Sequence, residues 1–115
     1  MGKKVEYKRE LKKVSDGSAN VDVVDEEVPP GYKRTIQHLS LEDETTGFTG
    51  VRIGYLRRGT YHWWVEEKAP AAATLYWMPY PKVLEEDDVL VIRFTGTSNL
   101  DALAVYLDGF TEKAR

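Results

Sequence analysis

Between Val28 and Phe110 this chain never runs far without a turn signal. Gly, Pro or a polar turn cluster interrupts it about every 8–12 residues, and β-branched and aromatic residues dominate the stretches between. An amphipathic helix needs apolar residues recurring three and four apart over a longer run, which no stretch of this body supplies. The spacing predicts short antiparallel strands joined by tight turns, packed as an all-β sandwich or barrel.

The strands can be placed from alternation. Tyr32–Leu41 carries Leu39 and Leu41 in one phase and Ile36 in the other, so a β-bulge is expected near Gln37-His38. Val51, Ile53 and Tyr55 share one face of the next strand, and Arg57-Arg58-Gly59-Thr60 reads as a hairpin connection. The return strand sets Tyr61, Trp63 and Val65 against His62 and Trp64. Ala69-Pro70-Ala71-Ala72 and Pro79-Tyr80-Pro81 break the pattern on either side of a strand at Thr74–Met78, and Tyr80-Pro81 is open to a cis bond. Val89–Thr95 is apolar on both faces and predicts a central strand. Leu103–Leu107 predicts another, ended by Asp108-Gly109.

The first 28 residues read differently. Val5, Tyr7 and Leu11 alternate with Lys4, Glu6, Lys8, Glu10 and Lys12, a strand with one charged face; a short helix is the competitor. Ala19–Val24 alternates again, with Val21 and Val23 against Asn20 and Asp22, and Val28-Pro29-Pro30-Gly31 closes the segment. The organisation expected is an extended N-terminal arm or peripheral hairpin over residues 1–28, a β-sandwich over 29–112, and a frayed tail at 113–115.

Function classes fall away on composition. The 115 residues suit one domain and include no Cys, which excludes disulfides, thiol chemistry and cysteine zinc sites. No apolar run approaches membrane-spanning length, and no apolar segment follows the basic start to make a secretory signal. A net charge of −3 gives no general attraction to nucleic acid, so direct nucleic-acid binding is not expected. The charge is segmented: residues 1–13 hold six Lys/Arg against Glu6 and Glu10, whereas residues 14–31 hold five acids and no base.

Little remains that can do chemistry. His38 and His62 lack metal-ligand spacing. Glu85-Glu86-Asp87-Asp88 offers hard oxygens for calcium, but consecutive carboxylates diverge and the alternating ligand pattern of a calcium loop is absent; a charged turn before a buried strand fits better. Arg52, Arg57 and Arg58 form a small basic spot around the hairpin. Neither a catalytic set nor a cofactor is expected. The aromatics Tyr61, Trp63, Trp64, Tyr76, Trp77 and Tyr80 point to core rings, to a protein interface, or to a sugar-stacking platform.

From Val28 to Phe110 the layout resembles small jelly-roll structural domains of tailed-phage virions. The similarity lies in four parts: Pro30-Gly31-Tyr32-Lys33-Arg34; Val51–Tyr55 turning through Arg-Gly into Tyr61-His62-Trp63; Asp87-Asp88 entering Val89–Phe94 and ending in Thr95-Gly96; and Leu103–Leu107 running to Asp108-Gly109. Glu86-Asp87-Asp88 departs from the Pro-Gly-Asp form usual in that family. The resemblance implies a head-decoration, cement, neck or tail-accessory subunit of the virion, made in the bacterial cytoplasm, with no catalytic residues. Its expected partners are other virion proteins and copies of itself. Tyr7 and Leu11 of the arm, Trp64 and Tyr80 on the sheet rim, and Arg57 and Arg58 at the hairpin tip are the expected contact residues. An arm of this kind can add a strand to a neighbour's sheet edge, and deletion of residues 1–13 is expected to leave a folded body but abolish assembly. The alternative is a carbohydrate-binding β-sandwich module using Trp63, Trp64, Trp77 and Tyr80.

Overall fold

The computed structural model describes residues 3–68, 76–78 and 81–114. Its strands are β1 (Val5–Val14), β2 (Asn20–Val24), β3 (Tyr32–Asp43), β4 (Gly50–Arg57), β5 (Thr60–Lys68), β6 (Tyr76–Trp77), β7 (Lys82–Leu84), β8 (Val89–Thr95) and β9 (Ala102–Lys113). The first sheet runs β1-β9-β3-β6, with β7 also on β3, and the second runs β2-β8-β4-β5. β6 and β7 pair with different parts of the same strand, so they act as one interrupted strand. First then pairs with last throughout: β1 with β9, β2 with β8, β3 with β6–β7, β4 with β5. Every pairing is antiparallel. The chain is one long nested hairpin whose successive pairs fall in alternate sheets, which is jelly-roll connectivity.

The core lies between the sheets. Leu39, Leu41, Leu103, Val105 and Leu107 come from the first sheet, and Val21, Val23, Val51, Ile53, Ile92 and Phe94 from the second. Phe48 meets Phe94 edge to face at 5.1 Å, and burying a ring like that of Phe94 is worth about 2–3 kcal/mol.

Two bulges set where side chains point. The β3–β9 register shifts between Ile36 and His38, where the break in alternation predicts it. Opposite that bulge a Cβ on Gly109 would collide with the Thr35 carbonyl oxygen. Gly109 therefore does not end the last strand; it lets β9 pass the bulge and continue to Lys113. The second shift falls between Ile53 and Gly54, where Ile53 faces Val65 but Gly54 faces Trp63. Trp64 is the extra residue, so Trp63 and Val65 lie on opposite faces despite being two apart.

Residues 1–28 are not a detached arm, nor a hairpin. β1 pairs with β9 over ten consecutive positions and β2 pairs with β8, so the segment supplies an edge strand to each sheet. Leu11 is in the core. At the other terminus Lys113 belongs to β9, and the Ala114 amide donates to the Gly31 carbonyl at 2.9 Å. The Tyr80-Pro81 bond and the 69–72 breaker lie outside the described residues.

Candidate functional site

The two outer faces differ in chemistry. On the first sheet, Lys8 faces Asp108, Glu10 faces Tyr106 and Lys12 faces Ala104. Lys12 bonds Glu44 at 3.1 Å, and His38 bonds Asp108 at 2.9 Å. These are solvated pairs on a charged sheet surface, each worth little.

The second sheet carries a register row of alternating origin: Asp22 from β2, Arg93 from β8, Arg52 from β4 and Glu66 from β5. Arg93 forks onto Asp22 at 2.8 and 3.1 Å, and Arg52 bonds Glu66. The bond to Asp22 is the main reason the Arg93 guanidinium is held charged more firmly than usual. The next row is Val24, Val91, Gly54 and Trp63. Val91 is fully buried yet outside the core cluster. Its cover lies on this outer side, where Gly54 adds no side chain and Trp63 is the large group of the row. Tyr61 stacks on Trp63 at 5.4 Å with planes 3° apart, and the Arg93 guanidinium sits 4.8 and 5.0 Å from the two rings. Arg52 lies 5.9 Å from the Trp63 ring. Val24, 52% exposed, and Tyr61, 41% exposed, complete a surface of aromatic, aliphatic and arginine groups.

Of the residues expected from sequence to make contacts, most are engaged inside the chain. Tyr7 donates to the Asp25 carboxylate at 2.7 Å and lies under the Arg34 guanidinium at 3.8 Å. Burial first, then that bond, raises the Tyr7 hydroxyl above its ordinary pKa. Arg57 forks onto the fully buried Asp88 with two bonds of 2.7 Å, and Asp88 also accepts from the Glu85 amide at 2.8 Å. Arg57 is thus an internal clamp, and its own pKa is raised chiefly by Asp88. Arg58 is exposed in the turn, at φ 51 beside Gly59 at φ 82. Both central residues are left-handed, as a two-residue hairpin of type I′ requires. Trp64 is half-buried against the core, 5.3 Å from Tyr55, with Lys82 Nζ 5.8 Å from its ring. Trp63, not Trp64, is the ring on the outer face; the bulge decides this, and strict alternation hid it. The Trp77 side chain and Tyr80 lie outside the described residues.

The remaining candidates are accounted for locally. His62 stacks on Tyr55 at 5.0 Å. In the acidic run, Asp88 serves Arg57 and Glu86 accepts from the Gly31 amide at 3.1 Å. Among the described residues, no group of three or more His, Cys, Asp or Glu is placed to hold a metal ion. The Trp63 ring is stacked by Tyr61 and approached by two arginines, so it is not a bare platform for a sugar.

No family profile matches the chain. No curated protein matches it. Among solved structures it is similar to a subunit from Bacillus endospore appendages, described as a novel family of disulfide-linked pili. That match has 13% identity and a TM-score of 0.57, and covers 100% of this chain and 92% of that one. Looser similarity joins it to a protein of infectious bursal disease virus Gx strain (10% identity, TM-score 0.47, 96% of this chain and 32% of that one). A CBM4 protein is looser still (11% identity, TM-score 0.38, 90% and 82%). The last two superpose too loosely to inform the fold. The pilus subunit shares this chain's β-sandwich over its whole length, and at 13% identity that likeness extends to the fold alone.

Proposed function

We propose that this chain is a non-enzymatic structural subunit that docks onto other proteins, or onto further copies of itself, through the outer face of its second sheet. One observation carries the reading: Trp63, Tyr61, Val24, Arg52 and Arg93 converge on that face, while the first sheet's outer face is laced with Lys and Glu. Trp, Tyr and Arg are the residues that anchor protein interfaces, and an apolar patch rimmed by paired charges is the usual form of such a surface. The phage-virion layout of the sequence and the jelly-roll connectivity support a head-decoration, cement, neck or tail-accessory role. The chain has no Cys, so any assembly it forms is held without disulfides.

Light scattering after size exclusion, with co-sedimentation on phage capsids and tails, tests this. Trp63→Glu is expected to abolish self-association or particle binding while the variant still unfolds cooperatively at a lowered thermal midpoint. Unchanged assembly in Trp63→Glu rules out this face as the docking surface.

A further inference from the structure

One end of the sandwich gathers three connections: the β1–β2 turn, the β3–β4 loop and the β8–β9 loop. Asp43, at the end of β3, and Asp101, just before β9, are both 1% exposed there. Asp43 Oδ1 accepts from the Thr45 and Thr46 amides at 3.0 and 3.1 Å. Asp101 Oδ2 accepts from the Thr46 hydroxyl at 2.6 Å and the Ser98 amide at 2.9 Å. The Asp101 backbone reaches the third connection, since its carbonyl accepts from the Ser15 amide at 2.9 Å. Ser15 in turn accepts from the Leu100 amide and shares a 2.7 Å hydroxyl contact with Thr97.

Asp43 Oδ2 is buried and has no donor from any other group. A carboxylate oxygen in that position is costly when charged, whereas a protonated one donates and is satisfied. We propose that Asp43 and Asp101 share one proton, forming a latch that ties the three loops together while the proton is held and loosens them when it leaves.

The electrostatic surroundings agree. Burial first, then the neighbouring Asp101 carboxyl, pushes Asp43 up to about 6, while Asp101, with Asp43 beside it, is held below the usual carboxylate range. The other charged groups of this end are turned elsewhere: Glu44 to Lys12 of β1, and Asp16 of the β1–β2 turn to the Ser18 amide. Among the described residues, no ion pair joins a cation to either latch carboxylate.

Because the folded-state value of Asp43 lies above its ordinary one, the native protein holds the proton more tightly between about pH 4 and pH 6. Loop stability is highest near pH 4 and is lost as pH rises through that window; below it the depressed Asp101 takes up a proton at a cost to the fold. A shift of this size corresponds to a change in the opening equilibrium of up to about a hundredfold.

The test is amide hydrogen exchange by NMR at pH 4.5 and pH 7.5, corrected for intrinsic rates, with ¹³C titration of the side-chain carboxyls. In the wild-type protein, protection at Thr46 and Ser98 is expected to fall by tens of fold to about a hundredfold, while the Glu85 amide on Asp88 serves as the control at the other end. Asp43→Asn, which keeps a donor in place of the shared proton, is expected to hold its protection at both pH values. An equal fall in Asp43→Asn, or no fall in the wild type, overturns the latch. Should Asp43→Asn fail to fold, the wild-type titration decides alone: Asp43 titrating in the ordinary aspartate range overturns it, and an elevated midpoint coupled to Asp101 supports it.

Discussion

The two ends of this sandwich bury the same chemical group and neutralise it in opposite ways. At one end Asp88 is gripped by Arg57, and Asp25 receives the Tyr7 hydroxyl with Arg9 at 3.5 Å. At the other end Asp43 and Asp101 have amides and a hydroxyl, and both meet Thr46, whose amide donates to Asp43 and whose hydroxyl donates to Asp101. A carboxylate taken out of water needs a cation, several donors or a proton. Cation pairing persists across neutral pH because arginine does not lose its charge. Proton sharing lasts only while the proton stays. One fold therefore carries a pH-indifferent end and a pH-responsive end.

The strongest way to break the comparison is to remove β1, which runs from one end to the other. Deleting residues 1–13 is expected to abolish cooperative thermal unfolding, because they contribute Leu11 to the core and nine of the ten register positions of β1 with β9. A deletion variant that still melts sharply by circular dichroism returns β1 to the status of a dispensable arm.

Next in size is the cation-paired end alone. Arg57→Ala leaves Asp88 buried without its partner and is expected to cost about 3–5 kcal/mol in urea unfolding. The loss should be smaller at pH 6 than at pH 8, since a proton can stand in for the guanidinium on the bared carboxylate as pH falls. A loss below about 1 kcal/mol means the clamp is ornamental.

The sharpest contrast comes from one chemical change made at each end. At pH 7.5, Asp88→Asn is expected to lose about 2–3 kcal/mol, and Asp43→Asn to gain up to about 3 kcal/mol, which shrinks toward zero at pH 4.5. Equal signs in the two variants erase the distinction between the ends.

The smallest effects come from single hydroxyls. Tyr7→Phe removes one donor from Asp25, and Thr46→Val removes one from Asp101; each is expected to cost about 1–2 kcal/mol. The Thr46→Val loss should grow above pH 6, when Asp101 and Asp43 both carry charge, while the Tyr7→Phe loss stays flat. Chevron or equilibrium measurements at pH 5 and pH 7.5 separate them.

Much of this architecture is legible along the chain. The Ile36-to-Leu39 phase break announces the first bulge, and the doubly apolar Val89–Thr95 announces a central strand, because burial on both faces leaves no position for alternation. The second bulge left no such trace. Tyr61, Trp63 and Val65 alternate in sequence, and only the pairing with Gly54 shows that Trp64 is extra. Gly109 reads as a strand end because glycine disfavours strands, yet it is required there by the close approach of Thr35. The N-terminal segment misleads for another reason. Its charged face and the Pro29-Pro30 break look like a boundary, but β1 and β2 need only one apolar face each, as edge strands do.

Turn spacing, alternation and the absence of Cys thus determined an all-β sandwich without disulfide chemistry, because local steric preference and one-sided burial are written residue by residue. Only the tertiary structure decided that β1 closes its own sheet, that Trp63 and not Trp64 faces outward, and that Arg57 is an internal clamp. It alone brought Asp43 to Asp101. These outcomes depend on register and on partners tens of residues away, such as Arg57 with Asp88, 31 positions apart. Nothing local along the chain encodes which carboxylate meets an arginine and which must share a proton.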